Sequence, residues 1–225
     1  MKTVLSLAFA VLVSTVAFSQ VHVGGQIIGS LNSGYFETKE EVSLSQKGKI
    51  GYGVGVVSEL SISDRFALRP SLNFIKKGVK LNVKAFDSEL DGDVSATMNA
   101  NLNYLELPVV LAYNIPLSES KVYFGIGPSV GYGISGKSKM TYSVNIPGLP
   151  QTTETEKVSS FKSENDGGAG FKRLDASATA LAGIQFNNGL FVNASGAYGL
   201  TNNMKSEDGK YQSRSVQLTV GFLLK

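Results

Sequence analysis

Bulky apolar residues recur at every second position through long stretches of this chain, and much of what separates them is glycine. Residues 50–56 alternate Ile50, Tyr52, Val54 and Val56 with Gly51, Gly53 and Gly55. Residues 124–134 alternate Phe124, Ile126, Val130, Tyr132 and Ile134 with Gly125, Gly127, Gly131, Gly133 and polar Ser129. A period of two belongs to a β-strand, whose side chains point alternately to opposite faces. The same pattern marks eight segments, at about 21–35, 49–62, 65–80, 101–115, 121–136, 172–187, 189–201 and 211–224. Each supplies the roughly 9 to 11 residues that a tilted strand needs to cross a membrane.

The face opposite the apolar one decides what surrounds the sheet. The sixth segment sets Leu174, Ala176, Ala178, Ala180, Ala182, Ile184 and Phe186 against Asp175, Ser177, Thr179 and Gln185. The seventh sets Leu190, Val192, Ala194 and Tyr198 against Asn193 and Ser195, and the eighth Val216, Leu218, Val220 and Phe222 against Gln217 and Thr219. In a water-soluble sandwich the second face would be charged. Here it is glycine and small polar residues, and only 17% of the chain is charged, much of it in the long connections. That composition predicts an inverted protein, with lipid outside and a small polar interior. Closure into a barrel is then required, because unpaired backbone groups at an open edge cost several kcal/mol each in hydrocarbon.

Connection lengths give the topology. Ser63-Asp64, Pro116 to Ser120 and Asn187-Asn188-Gly189 are tight turns between antiparallel neighbours. The connections near 36–48, 81–100, 137–171 and 202–210 are mostly longer and polar. Short and long alternate, so all the tight turns lie at one end and all the long loops at the other. The expected fold is all-β: an eight-stranded antiparallel up-and-down transmembrane barrel with short periplasmic turns and long external loops. At eight strands its interior is filled by side chains and is no open channel.

Parity places Glu59, Arg69, Glu106 and Asp175 inside. The first three lie on consecutive strands and are expected to form an ion-pair cluster, with the glycines leaving it room. The main expectation is a structural polar core that locks the barrel; a proton or ion path is the alternative. Pro108 shares the inward face with Glu106, removes one ladder hydrogen bond, and predicts a bulge or bend.

Other features bound the function. Residues 1–19 have Lys2, an apolar run from Val4 to Phe18 and small residues at Ala17 and Ser19, as an export signal does, leaving 20–225 as one barrel domain. With no cysteine there is no disulfide, thiolate nucleophile or thiolate metal site. A net charge of +3, without a basic cluster, argues against nucleic acid. His22 is the single histidine and has no acidic neighbour in sequence, which disfavours a Ser-His-Asp arrangement. The acidic run Asp87 to Asp93 resembles a calcium loop only weakly, since Met98 stands where the closing glutamate belongs. No metal and no cofactor are therefore expected. The glycine run Gly167 to Gly170 predicts a flexible loop. Alternation across residues 140–146 predicts that the fifth strand continues outward as a hairpin, and loop 137–171 is the expected surface for a protein partner.

Several landmarks resemble the PorT-like, "porin family" outer-membrane β-barrel domain of Gram-negative bacteria with type IX secretion. These are Tyr104-Leu105-Glu106-Leu107-Pro108 (the Y-x-E-x-P signature), Gly125-Ile126-Gly127-Pro128, Arg173-Leu174-Asp175, Tyr198 to Asn202 and the closing Val220 to Leu223. The resemblance covers essentially residues 20–225. It implies the cell outer membrane, contact with outer-membrane lipid, and the barrel assembly machinery as a partner during biogenesis. Such barrels commonly end on an aromatic residue read by that machinery, whereas here Phe222 is followed by Leu223, Leu224 and Lys225. The expected function is non-enzymatic, structural or surface-interacting. The alternatives are an accessory role in secretion or surface attachment, and a soluble periplasmic lipocalin-like carrier.

Overall fold

The computed structural model describes residues 21–38, 43–87, 92–145, 150, 152–205 and 209–224. The expected export signal and the centre of the acidic run, 88–91, lie outside the described residues. Among the described residues nine antiparallel strands follow one another: β1 (Val21–Thr38), β2 (Ser43–Ser61), β3 (Phe66–Asp87), β4 (Gly92–Pro116), β5 (Ser120–Asn145), β6 (Thr152–Ser159), β7 (Leu174–Phe186), β8 (Leu190–Gly199) and β9 (Gly209–Leu224). Eight of them, all but β6, close into a ring, because β4 pairs with β5 and β1 with β9. β6 hangs on β5 outside that ring, as the second arm of a hairpin.

The ring is staggered. Partners followed once around it run Phe66, Tyr113, Phe124, Ala182, Ala194, Leu218, Gly29, Tyr52 and Lys76, returning to β3 ten residues beyond the start. A rise of about 33 Å over eight strand spacings of about 4.8 Å corresponds to a strand tilt near 40°. The nine steps along β2 from Tyr52 to Ser61 then climb about 23 Å, close to the apolar band of an outer-membrane barrel.

Burial is inverted as the alternation predicts. Ile50 is 83% and Ile126 70% exposed, while Glu59 and Arg69 are 2% and 4% exposed. Outward aromatics gather at both ends of the band: Phe66, Phe124, Phe186 and Phe222 beside the tight turns, and Tyr35, Tyr52, Tyr132 and Tyr198 towards the long loops. Leu107→Arg, in the outward row of β4, is expected to lower stability by about 2–4 kcal/mol, the depth-dependent penalty of a cation facing lipid. The urea midpoint in detergent micelles reads this; an unchanged midpoint would mean that this face does not meet hydrocarbon.

Three expectations need correction. The connection at 81–100 is mostly strand: β3 and β4 stay paired out to Asp87 and Gly92, beyond the lipid belt, since Leu81, Val83 and Ala85 keep the period of two. Pro108 carries no bulge. Pairing passes from Pro70 opposite Val109 to Asn73 opposite Glu106 without a register change, although Pro70, Pro108 and Pro128 lie close together on three neighbouring strands. A bulge lies higher, where Asn103 faces Ser135 and Tyr104 faces Gly133, leaving Ile134 as the extra residue. It reverses the parity of β5, so Lys137 and Lys139 point out while Ser138 is buried.

The glycine run is likewise folded. Residues 160–173 lie across the external mouth, held by backbone bonds from Ala169 to Ser159, Gly170 to Lys162 and Phe171 to Ser160. Gly167 and Gly170 adopt φ of 68° and 71°, a region open to glycine without strain. Phe161 and Phe171 enter a buried apolar cluster with Ile75, Val79, Leu102, Met204 and Tyr211. A side chain on Gly133 would strike the Phe161 ring, so glycine on β5 makes room for this cap.

Candidate functional site

Inside the belt, Glu59 of β2, Arg69 of β3 and Lys121 of β5 meet near the tight-turn end. Arg69 lies 3.4 Å from Glu59, and the Lys121 ammonium 2.5 Å from the other carboxylate oxygen. The guanidinium also sits 4.1 Å from the Tyr123 ring centre and 5.0 Å from that of Phe191, both buried. These faces attract a cation and hold its plane.

Glu106 is in a different group. It faces Asn73 in the ladder whereas Arg69 faces Val110, a separation of four residues or about 13 Å along β4. Its partner is Lys77, also on β3, whose ammonium lies 3.9 Å from Asp175 on β7 and over the Tyr104 ring. Ser213 donates to Asp175 at 2.8 Å. The single cluster expected from Glu59, Arg69 and Glu106 is therefore two, and each includes a lysine the sequence reading left out. Both lysines were legible by parity: Lys77 shares the inward row of Arg69, and Lys121 that of Tyr123. Tyr104, Glu106 and Pro108 all face inward, the first two on Lys77.

Between the groups lies a polar cavity of about 60 Å³, lined by Arg69, Glu106, Ser71, Asn73, Ser129 and Thr219 among others. Gln26 donates to Asn73 at 2.7 Å, and Asn73 to Ser71 at 3.1 Å. The volume suits a few waters among polar partners. Two ion groups, a polar gap between them and an apolar cap thus follow one another up the barrel axis.

Above the belt, β2 to β6 continue as a sheet. Its last strand presents Thr152 to Lys157 to solvent, and among the described residues its far edge has no neighbouring strand, only a bridge from Ser159 to Gly168 of the cap. Across the β5–β6 pair, Thr141 meets Thr155 at 3.3 Å and Ser143 meets Thr153 at 3.2 Å. Lys139 and Lys157 are paired in register.

A comparison of the sequence with curated proteins finds no match. Among solved structures the chain is similar to Ail, the attachment invasion locus protein of Yersinia pestis, seen in complex with the heparin analogue sucrose octasulfate; identity is 11%, coverage 91% of this chain and 99% of that one, and TM-score 0.40. It is also similar to Neisserial surface protein A (11% identity, 89% and 96% coverage, TM-score 0.37). A third is the N-terminal β-barrel domain of Pseudomonas aeruginosa OprF (13% identity, 88% and 97% coverage, TM-score 0.27). The sequence matches the outer membrane protein beta-barrel domain over residues 6–205, which sets aside the soluble carrier. With its outward hydrocarbon, its aromatic rims and this match, the chain belongs to the outer membrane protein beta-barrel domain family and resides in the cell outer membrane.

Proposed function

We propose that this is a non-enzymatic barrel that holds a rigid recognition surface above the outer membrane. The observation that carries it is the external sheet of β2 to β6. The belt needs only part of each strand, yet β3, β4 and β5 run to 22, 25 and 26 residues and end in β6, whose outer edge before Ser159 pairs with no strand among the described residues. Such an edge offers a row of free backbone donors and acceptors, and a partner strand gains main-chain hydrogen bonds by adding to it. The polar clusters serve as internal ties between strands, and loop 137–171 divides its labour. Its first half builds the edge and its second half forms the cap.

A photo-crosslinking residue at Thr155 is expected to give protein adducts on intact cells, and Thr153→Pro in the same chain, which removes an outer-edge donor and leaves the cap in place, to reduce them sharply. Absence of adducts from wild-type display would overturn the recognition reading. Export by residues 1–19 and insertion by the barrel assembly machinery complete the proposed life history. An accessory role in secretion, implied by the PorT resemblance, needs periplasmic contacts. The turns there, between Ser61 and Phe66, Pro116 and Ser120, and Phe186 and Leu190, offer few residues for such contacts.

A further inference from the structure

The lipid-facing wall of the barrel has a hollow. Across one level of the ring the outward residues run Ile126, Ala180, Gly196, Val216 and Leu31; the next level outward runs Pro128, Ala178, Tyr198, Arg214 and Ser33. Ala178 and Ala180 of β7 and Gly196 of β8 therefore lie low between Ile126 and Pro128 on one side and Val216 and Leu31 on the other, with Tyr198 and Arg214 at the external end. The result is an open, mainly apolar trough of about 900 Å³. At its external end stands Arg214, 4.9 Å from the ring centre of Tyr198 and 5.4 Å from that of Tyr35, and bonded to the Tyr198 hydroxyl at 3.5 Å. Among the described residues no carboxylate pairs with Arg214.

The trough lies within the hydrocarbon belt, so what fills it comes from the membrane. A hydrocarbon chain seated there touches wall atoms on three sides where a chain on a flat wall touches them on one, and dispersion favours it accordingly. A cation at the headgroup level adds a second requirement, a negative charge on the same molecule. The planar guanidinium, steadied by two rings, matches the oxygens of a phosphate. We propose that this trough binds an acyl chain of a phosphate-bearing glycolipid of the outer leaflet, with the headgroup phosphate on Arg214. The assignment rests on the membrane location alone and stands independently of the recognition surface.

The test uses the full chain in nanodiscs of phosphatidylethanolamine doped equally with lipid A and its dephosphorylated form, with retained lipid counted by native mass spectrometry. The wild type is expected to favour the phosphorylated form by about tenfold, the scale of one charge-assisted contact. Arg214→Gln should remove that preference. Gly196→Leu should lower retention of both forms to background, because a side chain there enters open space, with no heavy atom within 4 Å of the added Cβ. Ala178→Leu fills the same trough and serves if Gly196→Leu loses the gel shift of a folded barrel. Equal retention of the two lipids by the wild type, or undiminished retention by a folded, filled variant, overturns the proposal. So does a wild-type dimer that Gly196→Leu converts to monomer, since a second copy would then occupy the trough.

Discussion

Lys77→Met is expected to destabilise the barrel by about 3–5 kcal/mol, the range for removing one member of a buried ion pair. Lys77 stands between Glu106 and Asp175, which are 8% and 3% exposed. Without it two carboxylates share a desolvated space with no cation between them. The hydroxyls of Ser213 and Thr201 solvate Asp175, yet they add no compensating charge. Glu106→Gln in the Lys77→Met background should restore part of the loss, because the remaining acid keeps those hydroxyls. Urea midpoints of the folded band on unboiled gels measure all three chains. A loss under about 1 kcal/mol for the single variant, as for exposed pairs, would mean that water reaches the group freely.

Phe171→Ala should act on the cap and spare the ring. The side chain is 1% exposed and packs edge-on against Tyr211 with ring centres 5.8 Å apart. Emptying such a site costs about 3–5 kcal/mol. The cap is joined to the barrel by few elements, so this loss falls on its local opening more than on global unfolding. Trypsin cleavage at Lys162 or Lys172 should accelerate by about 100-fold or more, following the population of the opened cap. The gel shift of the ring should persist. Cleavage at the wild-type rate would show that the backbone bonds alone hold the cap shut.

The ring was legible in the sequence because lipid on one side and a narrow interior on the other impose a strict two-residue code. Residues such as Ile126 and Glu59 obey it without reference to their neighbours. Partner choice was less legible. Parity puts Glu106 inside, but whether it meets Arg69 or Lys77 depends on a stagger that no single strand records. The bulge at Ile134 was hidden for a related reason, since Gly133, Ile134 and Ser135 read equally well in either phase. The cap was missed because glycines suited to a tight fold and glycines suited to a mobile loop look alike. What distinguishes them is Phe161 and Phe171, whose burial requires a mouth for them to fill. The strand ends at 81–100 were missed although Leu81, Val83 and Ala85 keep the two-residue period, because Asn82, Lys84 and the polar residues that follow read as a loop.

The seam of the ring joins β1 to β9, with pairs running from Val23 opposite Leu224 to Thr38 opposite Gly209. Strand pairings elsewhere in the ring form between neighbours in sequence or across a single hairpin, but this one waits for the far end of the chain. Until β9 has been synthesised and delivered, two long edges remain open that hydrocarbon cannot satisfy. Entry into the membrane is therefore tied to the presence of β9. A polypeptide without β9 would forfeit the seam and leave the edges of β1 and β8 open. The β1–β9 pairing thus makes closure of the whole ring conditional on its first and last strands alike.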